Sequence, residues 1–116
     1  MISSIKKLFR RKPLVVVIRL DGVIGAVSRF GSGGLDDSNT QKLLEKAFEF
    51  EKAKAIAIKI NSPGGSPTQS SLIASRILKL SEEKKIPVLC FCEDVAASGG
   101  YWLACAGEEI YSDINS

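Results

Sequence analysis

Apolar runs too short for helices alternate along this chain with stretches of helical periodicity. After Pro13 comes Leu14-Val15-Val16-Val17-Ile18-Arg19-Leu20, a β-branched run that predicts a strand covered on both faces. Asp21-Gly22 breaks it, and Val23-Ile24 reads as a short extension or hairpin arm. From Ser28 to Ser38 the chain is rich in Gly and Ser and reads as a loop. Leu43, Leu44, Ala47 and Phe48 then form one apolar stripe, with Lys42, Glu45, Lys46 and Glu49 facing outward, which predicts a helix capped by Asp37 or Ser38 and ending near Lys52. In Ala55-Ile56-Ala57-Ile58-Lys59-Ile60 the isoleucines share one strand face, and the alanines admit a close helix on the other.

The turn-rich Asn61-Ser62-Pro63-Gly64-Gly65-Ser66-Pro67 follows, with Ser66 as N-cap and Pro67 in the first helical position. The helix it opens carries Leu72, Ile73, Ile77 and Leu80 inward and frays at Glu82-Glu83-Lys84-Lys85. Val88-Leu89-Cys90-Phe91-Cys92 is a third strand. A third helix runs from about Ser98 to Ala106, stopped by Gly107, and Ile110-Tyr111 begins a fourth strand. Strands alternating with helices predict α/β layering on a mostly parallel sheet, in one domain without repeats.

Charge adds one segment. The chain of 116 residues has a net charge of +3, but Lys6, Lys7, Arg10, Arg11 and Lys12 stand together at its start, and without them 11 basic residues face 13 acidic ones. Residues 1–12 therefore read as a basic amphipathic tail, with Ile2, Ile5, Leu8 and Phe9 near helical spacing, and residues 13–116 as the folded part. Two readings of the tail stand, a solvated tail and a peripheral contact with an anionic membrane. The folded part has no basic stripe and few aromatics to stack on bases, so nucleic-acid binding is not expected. The sequence shows neither a spanning apolar run nor a signal peptide, and the expected location is cytoplasmic or peripheral at the inner membrane. Cys90, Cys92 and Cys105 read as small buried apolar residues in a reducing compartment rather than as a metal site.

The chemistry centres on Ser98, where the third strand gives way to an apolar helix through Ala96-Ala97-Ser98-Gly99-Gly100. A serine there exposes its hydroxyl beside open glycine backbone, a suitable place for a nucleophile. The chain has no histidine, which excludes a Ser-His-Asp triad within it and makes lysine the first candidate for the base. Ser62-Pro63-Gly64-Gly65 ends the second strand as Ser98-Gly99-Gly100 ends the third, so in a parallel sheet both turns lie at the carboxyl edge, where such sheets bind ligands. Acyl transfer needs backbone N–H donors aimed at an oxyanion, and these are assigned to Gly65, or its neighbour Gly64, and to Gly99. Either turn alone is ordinary. Together they are more specific, and neither is a phosphate loop.

Asn61-Ser62-Pro63-Gly64-Gly65 and Glu93-Asp94-Val95-Ala96-Ala97-Ser98-Gly99-Gly100-Tyr101-Trp102-Leu103-Ala104 resemble the two hallmark motifs of the signal peptide peptidase A and SohB family of serine peptidases, peptidase family S49. The resemblance covers Leu14 to Ser112. It implies a Clp protease/crotonase-like fold, a spiral of β-β-α units with a mostly parallel sheet. It also implies a serine–lysine dyad that hydrolyses signal-peptide remnants or other membrane-associated polypeptides, in a homo-oligomer and without metal or organic cofactor. By the motif match Ser98 is the nucleophile, Gly99 supplies one oxyanion N–H and Gly65 the other.

In that family the base lysine lies several tens of residues beyond the serine, and this sequence ends at Ser116. Lys59, just ahead of the Pro-Gly-Gly turn, is the nearest internal stand-in but reads as a surface residue, and Lys84 and Lys85 fit worse. The sequence therefore reads as the amino-terminal part of a longer peptidase domain, a decayed remnant, or a serine half completed by another polypeptide's lysine. An inactive truncated paralogue that docks into a peptidase oligomer is the alternative from another functional class. A thioester-binding crotonase-like protein is a third, which a serine nucleophile argues against.

Overall fold

The computed structural model describes residues 12–25 and 34–116. Four strands and three helices alternate: β1 (Leu14–Asp21), α1 (Asp37–Phe48), β2 (Ala53–Ser62), α2 (Pro67–Lys84), β3 (Val88–Ala96), α3 (Gly99–Ala104) and β4 (Glu109–Ser112). The strands form one sheet in the order β1-β2-β3-β4, every neighbouring pair parallel. Beyond this sheet, Ile24 makes single parallel bridges to Leu35 and Gly65, a second small layer of pairing between the strand ends and the helices. The architecture is the expected α/β fold.

The side chains that alternate to one face of the sheet explain where the helices sit. Ile18 and Leu20 of β1, Ile56, Ile58 and Ile60 of β2, and Val88 and Cys90 of β3 are buried in one cluster with Leu44, Ala47 and Phe48 of α1, Ile73, Ala74 and Ile77 of α2, and Leu103 and Ala104 of α3. All three helices cover the isoleucine face. On the other face Val15, Val17 and Lys59 are exposed, Leu89 and Phe91 half-buried, and the Tyr111 ring stacks on Phe91 at 4.9 Å. Among the described residues no helix packs there, contrary to the cover expected over β1 and the alanines of β2. Valine suits a pleated strand in itself, so a β-branched run does not guarantee cover on both sides.

The element ends differ from expectation for local reasons. Asp36, not Asp37 or Ser38, caps α1, in a capping box in which its side chain takes the Asn39 N–H and the Asn39 side chain takes the Asp36 N–H. That helix ends at Phe48 rather than near Lys52. Ser66 caps α2 and Pro67 opens it, as read from the sequence, and Lys85 closes it in the left-handed conformation. Leu43 and Leu72 point outward rather than inward. α3 starts one residue later and ends two residues earlier than expected, because Ser98 lies outside helical space and the Cys105 N–H turns back to the Leu103 and Tyr101 carbonyls. The basic residues Lys6, Lys7, Arg10 and Arg11, and most of the Gly/Ser-rich loop, lie outside the described residues.

Candidate active site

Two strand ends hold the site together. Ser62, fully buried at the end of β2, pairs with Ala96 of β3, and its carbonyl accepts the Ala97 N–H at 3.1 Å. One residue earlier, the Asn61 side-chain oxygen accepts the Val95 N–H at 3.1 Å. These bonds carry β3 on to Ala96, past the apolar run that marked it in the sequence, and bring the two glycine-bearing turns side by side.

At the second turn the Gly100 N–H donates to the Ala97 carbonyl at 2.8 Å, closing a turn with Ser98 in its first central position at φ 53, ψ −120. These are the dihedrals of a type II′ turn, where glycine is the usual occupant. A serine held there is strained, by about 1–3 kcal/mol for such a conformation, and backbone strain of this kind collects at functional sites. Ser98 is exposed and its side chain makes no cap hydrogen bond to α3. Among the described residues the Ser98 hydroxyl has no hydrogen-bond partner.

The first turn meets it closely. Gly64 is buried with φ 99, and a Cβ built on it would lie 2.8 Å from both the Ser98 Cβ and the Gly99 nitrogen. Only a residue without a side chain, in a conformation that favours glycine, lets the two backbones approach this way. The Gly64 N–H donates to Ser62 Oγ at 3.1 Å and the Gly64 carbonyl accepts the Ile24 N–H at 2.9 Å. Across a trans peptide the carbonyl and the following N–H point in opposite directions, so the Gly65 N–H faces away from Ile24. Gly65 is exposed, its φ is 151, and a Cβ there would collide with the Ile24 carbonyl oxygen. Among the described residues neither the Gly65 nor the Gly99 N–H has a hydrogen-bond partner, whereas the Gly64 N–H is engaged. Of the glycines singled out from sequence, Gly64 lies against Ser98 and Gly99, and Gly65 follows it in the chain, packed on Ile24.

The lysines do not join them. Lys59 is exposed on the helix-free face of β2, paired in register with Arg19 and Phe91. Lys84 and Lys85 precede β3, whose length sets them roughly 25 Å from Ser98 at ~3.3 Å per residue. Two residues of the constellation carried no chemical signal in the sequence. Ser62 reads only as a turn residue, although a hydroxyl two positions ahead of a glycine can bond that glycine's N–H. Ile24 reads only as a strand extension. The cysteines divide by depth: Cys90 is buried, Cys92 half-buried and Cys105 exposed, which corrects the expectation of three buried thiols. Burial pushes the Cys90 thiol up to about 12.

The sequence model of peptidase family S49 matches residues 81–116, which include Ser98. A Brucella melitensis protein named Na(+)/H(+) antiporter NhaA is 48% identical over 102 residues, covering 88% of this chain and 14% of that protein. Protease 4 of Haemophilus influenzae is 32% identical over 104 residues, 88% of this chain and 16% of that protein. The chain therefore spans about a seventh of the length of these curated relatives. Among solved structures, a membrane-bound stomatin-specific protease superposes with a TM-score of 0.63 at 24% identity, over 89% of this chain and 45% of that one, a likeness of fold. With the family match falling on the serine turn and proteases among its relatives, the chain belongs to peptidase family S49, the family of signal peptide peptidase A.

Proposed function

We propose that the chain supplies the nucleophile and the oxyanion donors of a serine endopeptidase. Ser98 Oγ attacks the scissile carbonyl carbon while a lysine outside these 116 residues takes its proton. The carbonyl oxygen, now negative, accepts the Gly65 and Gly99 N–H groups. The lysine returns the proton to the leaving amine, an acyl-serine remains, and water attacking by the same route releases the second product. No metal or organic cofactor enters this reaction. Signal-peptide remnants and other membrane-associated polypeptides are the substrates we propose, in a homo-oligomer. Lys12 and the basic residues before it would make a peripheral contact with anionic lipid.

The observation that carries this reading is the close approach of Gly64 to Ser98 and Gly99, with a strained, exposed serine in one turn and an unengaged glycine amide in each of the two turns. Fluorophosphonate labelling of a full-length version that includes the base lysine tests it. Label incorporated by the wild type and lost in Ser98→Ala is the expected result, and equal labelling of the two, or none of either, overturns it. The helix-free sheet face favours one second reading, a docking module within a peptidase oligomer. Co-purification with a full-length relative, without labelling of Ser98, would select that reading.

A further inference from the structure

We infer that Ser62 is a positioning residue of this site, acting through the Gly64–Gly65 peptide on the oxyanion donor. This rests on the proposed roles of Ser98 and Gly65. Three contacts converge on this one fully buried residue: its hydroxyl oxygen accepts the Gly64 N–H at 3.1 Å, its carbonyl accepts the Ala97 N–H at 3.1 Å, and a Cβ on Gly100 would lie 2.5 Å from that carbonyl oxygen. Ser62 therefore grips both turns at once, the donor turn by its side chain and the nucleophile turn by its backbone. The backbone grip survives any substitution. The side-chain grip is a single bond, and it holds the peptide immediately ahead of the one whose N–H serves the oxyanion.

Losing the hydroxyl frees the Gly64 N–H and removes the bond that holds the loop on its β2 side, leaving the two bonds to Ile24, from its N–H to the Gly64 carbonyl and from the Ser66 N–H to its carbonyl. The loop then samples orientations in which the Gly65 N–H misses the oxygen. Binding of the uncharged ground state is unaffected, because the donor matters where negative charge develops.

The test is the concentration dependence of fluorophosphonate labelling in a full-length version that includes the base lysine, which separates the maximal rate from the half-saturating concentration, with thermal unfolding measured alongside. Ser62→Ala is expected to lower the maximal rate by about 10- to 100-fold, as misplacement of a catalytic group does. The half-saturating concentration should stay within about twofold, since uniform binding is untouched. Ser62→Thr, which keeps the acceptor, should recover most of the rate, and it replaces Ser62→Ala as the deciding variant if the alanine protein does not fold. A Ser62→Ala rate near that of the wild type, a half-saturating concentration that moves with the rate, or a folded Ser62→Thr that labels as poorly as alanine would each overturn the inference while leaving Ser98 as nucleophile. Labelling that survives Ser98→Ala, or a wild type that takes no label, overturns both.

Discussion

At the residue scale, Ser98 sets stability against chemistry. Its φ of 53 favours a residue without Cβ, yet the position carries a hydroxyl. Ser98→Gly should raise the unfolding free energy by about 1 kcal/mol through release of that strain, and abolish fluorophosphonate labelling at the same time. Chemical denaturation alongside labelling checks both halves, and a glycine variant less stable than the wild type would show the serine conformation to be unstrained. The exposed turn position of Ser98 was legible from its setting, a polar residue between a strand and a glycine pair. Its dihedral was not, because nothing in the residue type announces positive φ. Ser62 was still less visible. A serine ahead of Pro-Gly-Gly looks like any turn former until burial and partners are known, and only the fold shows that its hydroxyl and carbonyl serve different turns.

At the scale of elements, the helices are joined by a bond the sequence pattern did not suggest. Arg76 of α2 meets Asp37 in the first turn of α1 through two parallel bonds, Nε to Oδ1 at 2.8 Å and a terminal nitrogen to Oδ2 at 2.9 Å. The guanidinium holds the Asp37 carboxyl below its usual value near 3.8. A depressed carboxylate contributes stability that is complete above the unfolded-state value and disappears as pH falls through the folded one. Asp37→Asn should therefore cost about 0.5–1 kcal/mol at neutral pH, the range of a partly exposed pair, with the difference from wild type vanishing in acid below the Asp37 titration. Unfolding measured at neutral pH and in strong acid checks the sign, and a difference that grows in acid would refute it. The start of α2 was readable because Ser66-Pro67 is a local signal. The end of β3 was not, since it depends on Asn61 and Ser62 from another strand.

At the scale of the whole molecule, the three thiols report on cooperative opening. Cys90 lies in the core cluster on β3, and burial first, then the neighbouring thiols, raises its ionisation to about 12. Only the thiolate alkylates. With iodoacetamide at pH 8, Cys105 should react at once, Cys92 more slowly and Cys90 only at the rate of global unfolding, as peptide mass spectrometry would register. Prompt modification of Cys90 in the native protein would contradict the buried placement. The same shift makes stability fall as pH climbs above the ordinary thiol value of 9.0, because the unfolded thiol ionises there and the folded one does not. Fold class was legible at this scale, since the alternation of runs and stripes leaves few arrangements other than helices on a parallel sheet. Which face the helices take was legible for the isoleucines and misread for the alanines and valines, whose small or branched side chains suit a strand whether or not anything lies over them.

Among the described residues all helices lie on one side of the sheet, which would link folding to any association on the other. Val15, Val17, Leu89 and Phe91 gain little or only partial desolvation when the isolated chain folds, so part of the hydrophobic gain these strands offer is left unrealised. Any polypeptide surface that settles on that flank binds the folded form and not the unfolded one. Through mass action it would make the melting temperature of this chain a function of concentration.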